Sequence, residues 1–358
     1  MTGIRVAVTG VGVRSAFGAG IGPLLAAALH GTPGFGPVDR FDVTHRQARR
    51  AALAPGSPVL GEAITTVLTE ATDQAGVPGG PLLLARHGDP VTAADCAPVH
   101  ERWGSGRVYT GACVAAGTAV ADAAALIVTG RQDRVLVAAG YLVEPDTFAV
   151  FDAGRALARD GTARPFSAGR SGLMLGDGVV AVVLESEAVA LRRGAEVLAV
   201  LAGWGRAGDG YHVCRPAPDG SGLARAIRAA LGRAGLAPGQ IDYVNANATG
   251  SPLADQAEVR ALHTVFGPNP PPVSSSKSVH GHALEASALL ELVVTVEALR
   301  AGLLPVNAGW LGPDPECALD LVLNEPRQVG SGARALRYAL SLNSAFGGAN
   351  TALLVAAA

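Results

Sequence analysis

The chain has 358 residues, 49% of them hydrophobic and 16% charged, with a formal net charge of −2. That length suits two to three domains, or one large α/β unit of two fused halves, and the composition is that of a well-buried globular protein rather than a disordered one. A near-neutral balance without a basic tract gives no reason to expect nucleic acid or an anionic membrane as a partner.

The opening run, MTGIRVAVTGVGV, lacks the apolar stretch and cleavage site of a signal peptide, and its residues 4–12 read as a buried strand closed by glycines. Residues 22–31 and 58–76 read as helices, and a Pro/Gly-rich stretch, 77–107, reads as irregular. A strand leads into Cys113, followed by a helix over about 115–129 and a strand over 134–140. VVAVVLES is a strand bounded by turn signals. The second half repeats this alternation. EVLAVLAGWG reads as a strand, GSGLARAIRAALGRAG as an amphipathic helix, and IDYVNANATG as a strand ending in a polar loop, followed by a helix that starts at Ser251 and Pro252.

Residues 273–302 read as a polar loop feeding a helix apolar on every side, hence a buried central one. ALDLVLN, then ALRYALSLN and the run after its Gly-rich turn, read as strands. Strand–helix alternation in two halves implies an α/β layered fold. No run of about 18 apolar residues calls for a membrane helix.

Four cysteines, Cys96, Cys113, Cys214 and Cys317, are scattered without a CxxC pair. That argues against a zinc site or a disulfide scaffold and suits a reducing cytoplasm. Cys113 lies in VYTGACVAAGT, where a strand turns into a helix. A buried cysteine is commonly a small hydrophobe. At this place, however, a helix N-terminus favours a thiolate, and backbone N–H groups can hold an oxyanion. A thiolate needs partners, and two polar loops supply candidates: Asn247 in 244–255, and Lys277, His280 and His282 in 274–285.

Seven stretches, VAVTGVG, TGACVAAG, ARPFSAGRSGLMLGDG, YHVCRPAPDGSG, IDYVNANATGSPLADQAE, SSSKSVHGHALEASA and NSAFGGANTALL, run in one order. In that order the chain resembles the β-ketoacyl-ACP synthase (ketosynthase) family of the thiolase superfamily over nearly its whole length. The resemblance implies a thiolase-like fold of five layers, αβαβα, built from two similar halves: residues 1–190 with the nucleophilic Cys, and residues 191–358 with the Asn, Lys and His loops. It assigns Cys113 as acyl-accepting nucleophile and His282 as second catalytic histidine, in the Gly-His of the KSxxGH motif. Lys277 matches the lysine that begins that motif, and Glu291 the buried acid after it. Phe346 matches the aromatic gate, its N–H joining that of Cys113 as an oxyanion hole. Thr249, Ser344 and Gly347 fall at substrate-binding positions, and Asp255 and Glu258 match structural acids.

The family's first catalytic histidine sits in a loop of the form HGTGTP. Here the loop reads NATGSP and the histidine is Asn247. An amide can donate a hydrogen bond but cannot take up a proton, so decarboxylative condensation is expected to weaken while acyl transfer survives. Glu285 places a carboxylate near His282, either orienting the imidazole or standing as a solvated side chain. Ser344 replaces a common aromatic, and the segment before Cys113 is short, which loosens the expected dimer.

The expected activity is therefore acyl transfer of polyketide or fatty-acid type. Cys113 would take the acyl group from the phosphopantetheine arm of an acyl carrier protein, with no permanent cofactor and no metal. The setting expected is cytoplasmic, as a homodimer or as a heterodimer with another ketosynthase-like subunit. The competing reading is a non-catalytic partner resembling a chain-length factor. A CoA-dependent thiolase is weaker, since the tail NSAFGGAN has no second cysteine.

Overall fold

The computed structural model describes residues 4–104, 106–329 and 336–358. Met1–Gly3 of the opening run, Ser105 in the irregular stretch and Ala335 at the head of the C-terminal strand run lie outside them. The main elements of the first half are β1 (Val6–Ser15), α1 (Leu60–Ala75), β2 (Leu82–Ala85), β3 (Arg107–Tyr109), α2 (Ala115–Val128), β4 (Arg134–Tyr141) and β5 (Gly178–Ser186). The second half runs β6 (Ala199–Gly208), α3 (Ser221–Ala234), β7 (Tyr243–Asn245), α4 (Pro252–Phe266), β8 (Val273–Ser274), α5 (Ser287–Ala301), β9 (Tyr338–Ser344) and β10 (Ala349–Ala356).

The strands join in the order β8-β7-β9-β10-β6-β1-β5-β4-β2-β3, which reads the same from either end once β1 is matched to β6. In each half the strand before the central helix, β3 or β8, pairs parallel with its neighbour, β2 or β7. That neighbour pairs parallel with β4 or β9, and an antiparallel strand, β5 or β10, closes the set. The seam between halves is a short antiparallel pairing of β1 with β6, Val6 to Leu201, Ala7 to Val200 and Val8 to Ala199.

Local sequence explains the layers. Helix α3 spaces Leu223, Ala226, Ile227, Ala230 and Leu231 on one buried face, and it ends where Gly235 turns left-handed at φ 67°. It covers the outside of β6 and β10, as α1 covers β1 and β5. Helix α5 is buried from Ser287 to Val296 and packs beside α2 between the two sets of strands. The five layers are therefore α1, sheet, α2 with α5, sheet, and α3 with α4.

A Gly-x-Gly in each seam strand lets the outer helix approach. A Cβ added at Gly10 or Gly12 of β1 would sit 2.0 Å from the carbonyl oxygen of Ala71 or Val67 in α1. At Gly203 or Gly205 of β6 it would sit 2.2 or 1.8 Å from that of Ala230 or Ala226 in α3. No side chain fits at those separations.

Two sequence expectations fail. Residues 77–107 are not irregular throughout: they hold β2 and two short helices, Pro90–Asp95 and Ala97–Trp103. The four-residue apolar run of β2 is hidden between Gly79–Gly80–Pro81 and Arg86. ALDLVLN is not a strand; Leu321 makes a single bridge to Val273. Among the described residues no helix is long and apolar enough to cross a membrane.

Candidate active site

Both central helices are entered through a single 3₁₀ turn, Ala112–Val114 before α2 and Leu284–Ala286 before α5. The first residue of each is left-handed, Ala112 at φ 50° and Leu284 at φ 40°, which costs a Cβ-bearing residue roughly 1–2 kcal/mol. Both turns are buried from their second residue on and pack against each other where the halves meet. The second residue of the first turn is Cys113.

Cys113 Sγ lies 3.0 Å from His282 Nε2. The other ring nitrogen, Nδ1, lies 2.8 Å from Ser287 Oγ, and that oxygen already accepts the Ala283 N–H at 2.9 Å. The serine oxygen keeps a second lone pair, so its hydroxyl can either donate to Nδ1 or accept a proton from it. When the serine donates, the imidazole proton sits on Nε2, facing the sulfur. Burial first, then the nearby Lys277 ammonium, holds His282 well below its usual range, so the ring is neutral.

The thiol runs against the sequence expectation of a thiolate. Burial pushes Cys113 up to about 12, with the Glu285 carboxylate adding to the rise and the Lys277 ammonium opposing it. At 7% exposure the loss of water outweighs the partial charge of the helix terminus. The resting residue is a thiol.

Asn247, two residues past the end of β7, is locked by three contacts. Its N–H donates to Glu258 Oε1 at 2.8 Å, while its Oδ1 accepts the Ser344 N–H at 3.1 Å and faces Lys277 Nζ at 3.4 Å. Two donors at Oδ1 fix the orientation of the amide, so Asn247 turns its NH₂ away from them. Asn247 lines a cavity of about 30 Å³ with Glu258, Ser344, Asp209 and Asn350. Lys277, fully buried, pairs with Glu291 at 2.7 Å, and Glu291 also accepts Asn343 Nδ2 at 2.9 Å. A buried ammonium needs such a partner.

The remaining candidates scatter. Asp255 accepts the N–H groups of Phe166, Thr249 and Gly250 at 2.9, 3.2 and 3.3 Å, tying the Asn247 loop to the first half. Thr249 is held there by its backbone. Ser344 Oγ donates to Asn350 Oδ1 at 2.6 Å, so its hydroxyl is spent inside the protein. Gly347 has φ 85° and donates to Val213 O at 2.7 Å. Phe346 is 53% exposed and stacks on Phe151 from the first half, ring centroids 6.0 Å apart.

Glu285 does neither thing expected of it. Ser287 already holds the histidine, and Glu285, 3% exposed, is not solvated: it bonds His87 Nδ1 at 2.9 Å. The position two residues before α5 aims the side chain into the interface between the halves. Ser287, His87 and Asn343 do not stand out in the sequence. The first hydroxyl of a helix five residues after a histidine carries no recognisable signal, and His87 stands in the stretch that reads as irregular.

Among the described residues no three His, Cys, Asp or Glu side chains are grouped to hold a metal ion. The pair Cys113–His282, with N–H groups at a helix start, can form a covalent acyl intermediate.

Comparison with known proteins identifies the family. The model of the β-ketoacyl synthase N-terminal domain matches residues 79–190, and that of the C-terminal domain matches residues 198–310. Nodulation protein E of Rhizobium meliloti is 42% identical over 249 residues, 68% of this chain and 60% of that protein. 3-Oxoacyl-[acyl-carrier-protein] synthase 2 of Staphylococcus aureus is 34% identical over 252 residues, 68% of this chain and 61% of that protein. The chain thus spans about 60% of the length of the curated relatives it matches.

Among solved structures, the ishigamide ketosynthase/chain length factor superposes with a TM-score of 0.91 at 27% identity, covering all of both chains. A β-ketoacyl synthase from Burkholderia phymatum gives 0.88 at 28%, covering 99% of this chain and 100% of that one. With the two domain models together matching more than half of its residues, the chain belongs to the β-ketoacyl synthase family, with the thiolase-like fold.

Proposed function

We propose that this chain is a ketosynthase-type acyltransferase that loads an acyl group onto Cys113 and passes it to a second acceptor. The observation that carries the reading is the 3.0 Å approach of His282 Nε2 to Cys113 Sγ at the start of a central helix. The donor would be a thioester on the phosphopantetheine arm of an acyl carrier protein, bound as substrate. The sulfur attacks the carbonyl carbon, the N–H groups of Cys113 and Phe346 stabilise the oxyanion, and the carrier thiol leaves. His282 gives its Nε2 proton as a hydrogen bond to the negative sulfur.

Asn247 offers only an amide where a second imidazole would assist loss of CO₂ from a malonyl unit. General acid–base assistance contributes about 10²–10⁴ in rate, and condensation is weakened by that order. The acceptor is then a carrier thiol, an amine or an alcohol, with a malonyl-derived carbanion the slower course. The chain would work in the cytoplasm as a dimer, with itself or with another ketosynthase-like subunit.

One observation favours a second reading, a non-catalytic partner like a chain-length factor: Asn247 is locked in place and Cys113 is almost closed to solvent. Intact-protein mass measurement after exposure to a panel of acyl-carrier and acyl-pantetheine thioesters separates the two. One acyl mass gained by the wild type and absent in Cys113→Ala supports transfer. A folded wild type that gains nothing from any donor overturns it and leaves the partner reading.

A further inference from the structure

Cys113 Sγ and His282 Nε2 lie 3.0 Å apart, and the chemistry turns on which of them holds the proton between them. The resting sulfur is a thiol and the ring is neutral. The contact is therefore either S–H against an Nε2 lone pair or Nε2–H against the sulfur. Sulfur accepts hydrogen bonds weakly, and a thiol has a hydrogen of its own to place, so the first arrangement is the better bond. Nδ1 then carries the ring proton and needs an acceptor.

Ser287 Oγ meets that nitrogen at 2.8 Å. His282 stands just before the turn Leu284–Ala286 and Ser287 just after it, so the turn brings the hydroxyl to the ring. The oxygen is itself fixed: Ser287 is fully buried at the first residue of α5, and Oγ accepts the Ala283 N–H at 2.9 Å. Its second lone pair is left for Nδ1–H. The nearby polar groups have other partners. Glu285 Oε1 bonds His87, Glu291 pairs with Lys277, and Asn247 Oδ1 accepts from Ser344. The titratable groups around the pair are Glu285, Lys277 and Glu291 about the thiol, and Lys277 and His280 about the ring.

We infer that Ser287 is a positioning residue, the third member of a Cys113–His282–Ser287 line: its hydroxyl accepts the Nδ1 proton and so keeps the Nε2 lone pair on the thiol. As the sulfur forms its bond to the thioester carbonyl carbon, the S–H proton passes to Nε2 and the carbonyl π pair moves to oxygen. The ring is then an imidazolium whose Nδ1–H stays on Ser287. When the adduct collapses, the carrier sulfur leaves with the C–S electron pair and takes the Nε2 proton. The ring returns to its neutral form. A hydroxyl rather than a carboxylate at Nδ1 leaves no buried charge behind in the resting line.

This rests on the acyl-transfer reading, but its test needs no acyl donor. Alkylation of Cys113 by iodoacetamide is followed from about pH 6 to about pH 10 in the wild type, Ser287→Ala and Ser287→Thr. Peptide-level mass spectrometry separates Cys113 from the exposed Cys214. With Nε2 as the base, the wild-type rate is expected to be level near neutral pH. In Ser287→Ala the Ala283 N–H is free to bond Nδ1, which moves the ring proton to Nε2 and removes the base. That variant is expected to react about tenfold more slowly near neutral pH, then to gain about tenfold per pH unit as hydroxide takes over. Ser287→Thr keeps the hydroxyl and is expected to restore the level profile. A folded Ser287→Ala whose profile keeps the wild-type shape overturns the inference, as does a folded Ser287→Thr that behaves like the alanine variant. Long-range nitrogen–proton NMR of the histidine rings, with His282→Asn to assign the signal, reads the wild type directly. Nδ1 protonated and Nε2 bare is the expected result; the opposite tautomer overturns the inference even if the serine variants fail to fold. If Ser287→Ala slows and steepens alkylation while no thioester ever loads Cys113, the role of Ser287 stands and acyl transfer fails.

Discussion

The two halves place the same backbone twice and use it for different chemistry. A left-handed residue, a 3₁₀ turn and a buried helix occur at Ala112–Val114 with α2 and at Leu284–Ala286 with α5. Cys113 in one turn corresponds to Glu285 in the other, and Asn247 after β7 corresponds to His87 after β2. Four residues into the helix, Ala119 of α2 corresponds to Glu291 of α5, the partner of Lys277. The fold sets where side chains meet, and each half then commits its own: thiol against imidazole on one side, carboxylate against imidazole on the other.

The sharpest way to break this comparison is through the seam strands. Gly12→Ala in β1 and Gly205→Ala in β6 should each cost about 3 kcal/mol or more in urea unfolding, because the new Cβ would meet a helix carbonyl at 2.0 or 1.8 Å. If one half tolerates the methyl and the other does not, the two are not packed alike. Where the halves differ, Glu291→Leu should cost about 3–5 kcal/mol by leaving Lys277 charged and unpaired. Adding Lys277→Met should recover most of that loss, and a double variant no more stable than Glu291→Leu would sink the ion-pair account.

A smaller effect concerns pH. Burial raises Glu258 from 4.5 to about 8, while one of its oxygens holds the Asn247 N–H. Across that window the folded chain keeps a proton that the unfolded chain releases, so this group's contribution to stability falls as pH rises. Glu258→Gln should make the stability-versus-pH curve shallower there, by up to about 1.4 kcal/mol per pH unit. An unchanged slope in denaturant titrations at several pH values would show that Glu258 does not keep its proton.

Much of the fold is legible in the sequence because its signals are local. Long apolar runs mark β1, β4 and β5, 3.6-residue spacing marks α3, and all-round apolarity marks α5 as central. Cys113, Lys277 and His282 stand out by residue type and position. What escapes depends on contacts more than 150 residues apart in the chain. The bond of His87 to Glu285 joins residues 198 apart, and no periodicity announces it. The charge state of Cys113 escapes for a related reason: a helix start is visible in sequence, whereas the loss of water around it is set by the opposite half.

The seam of β1 with β6 also limits how the two halves can move. Backbone hydrogen bonds join the halves there, and α2 and α5 fill the space between them with close-packed side chains. Opening the halves like a clam would break both at once. In the acyl-transfer reading proposed above, entry to Cys113 would therefore be a matter for loops rather than domains. At the surface, the exposed Phe346 of the second half stacks on Phe151 of the first.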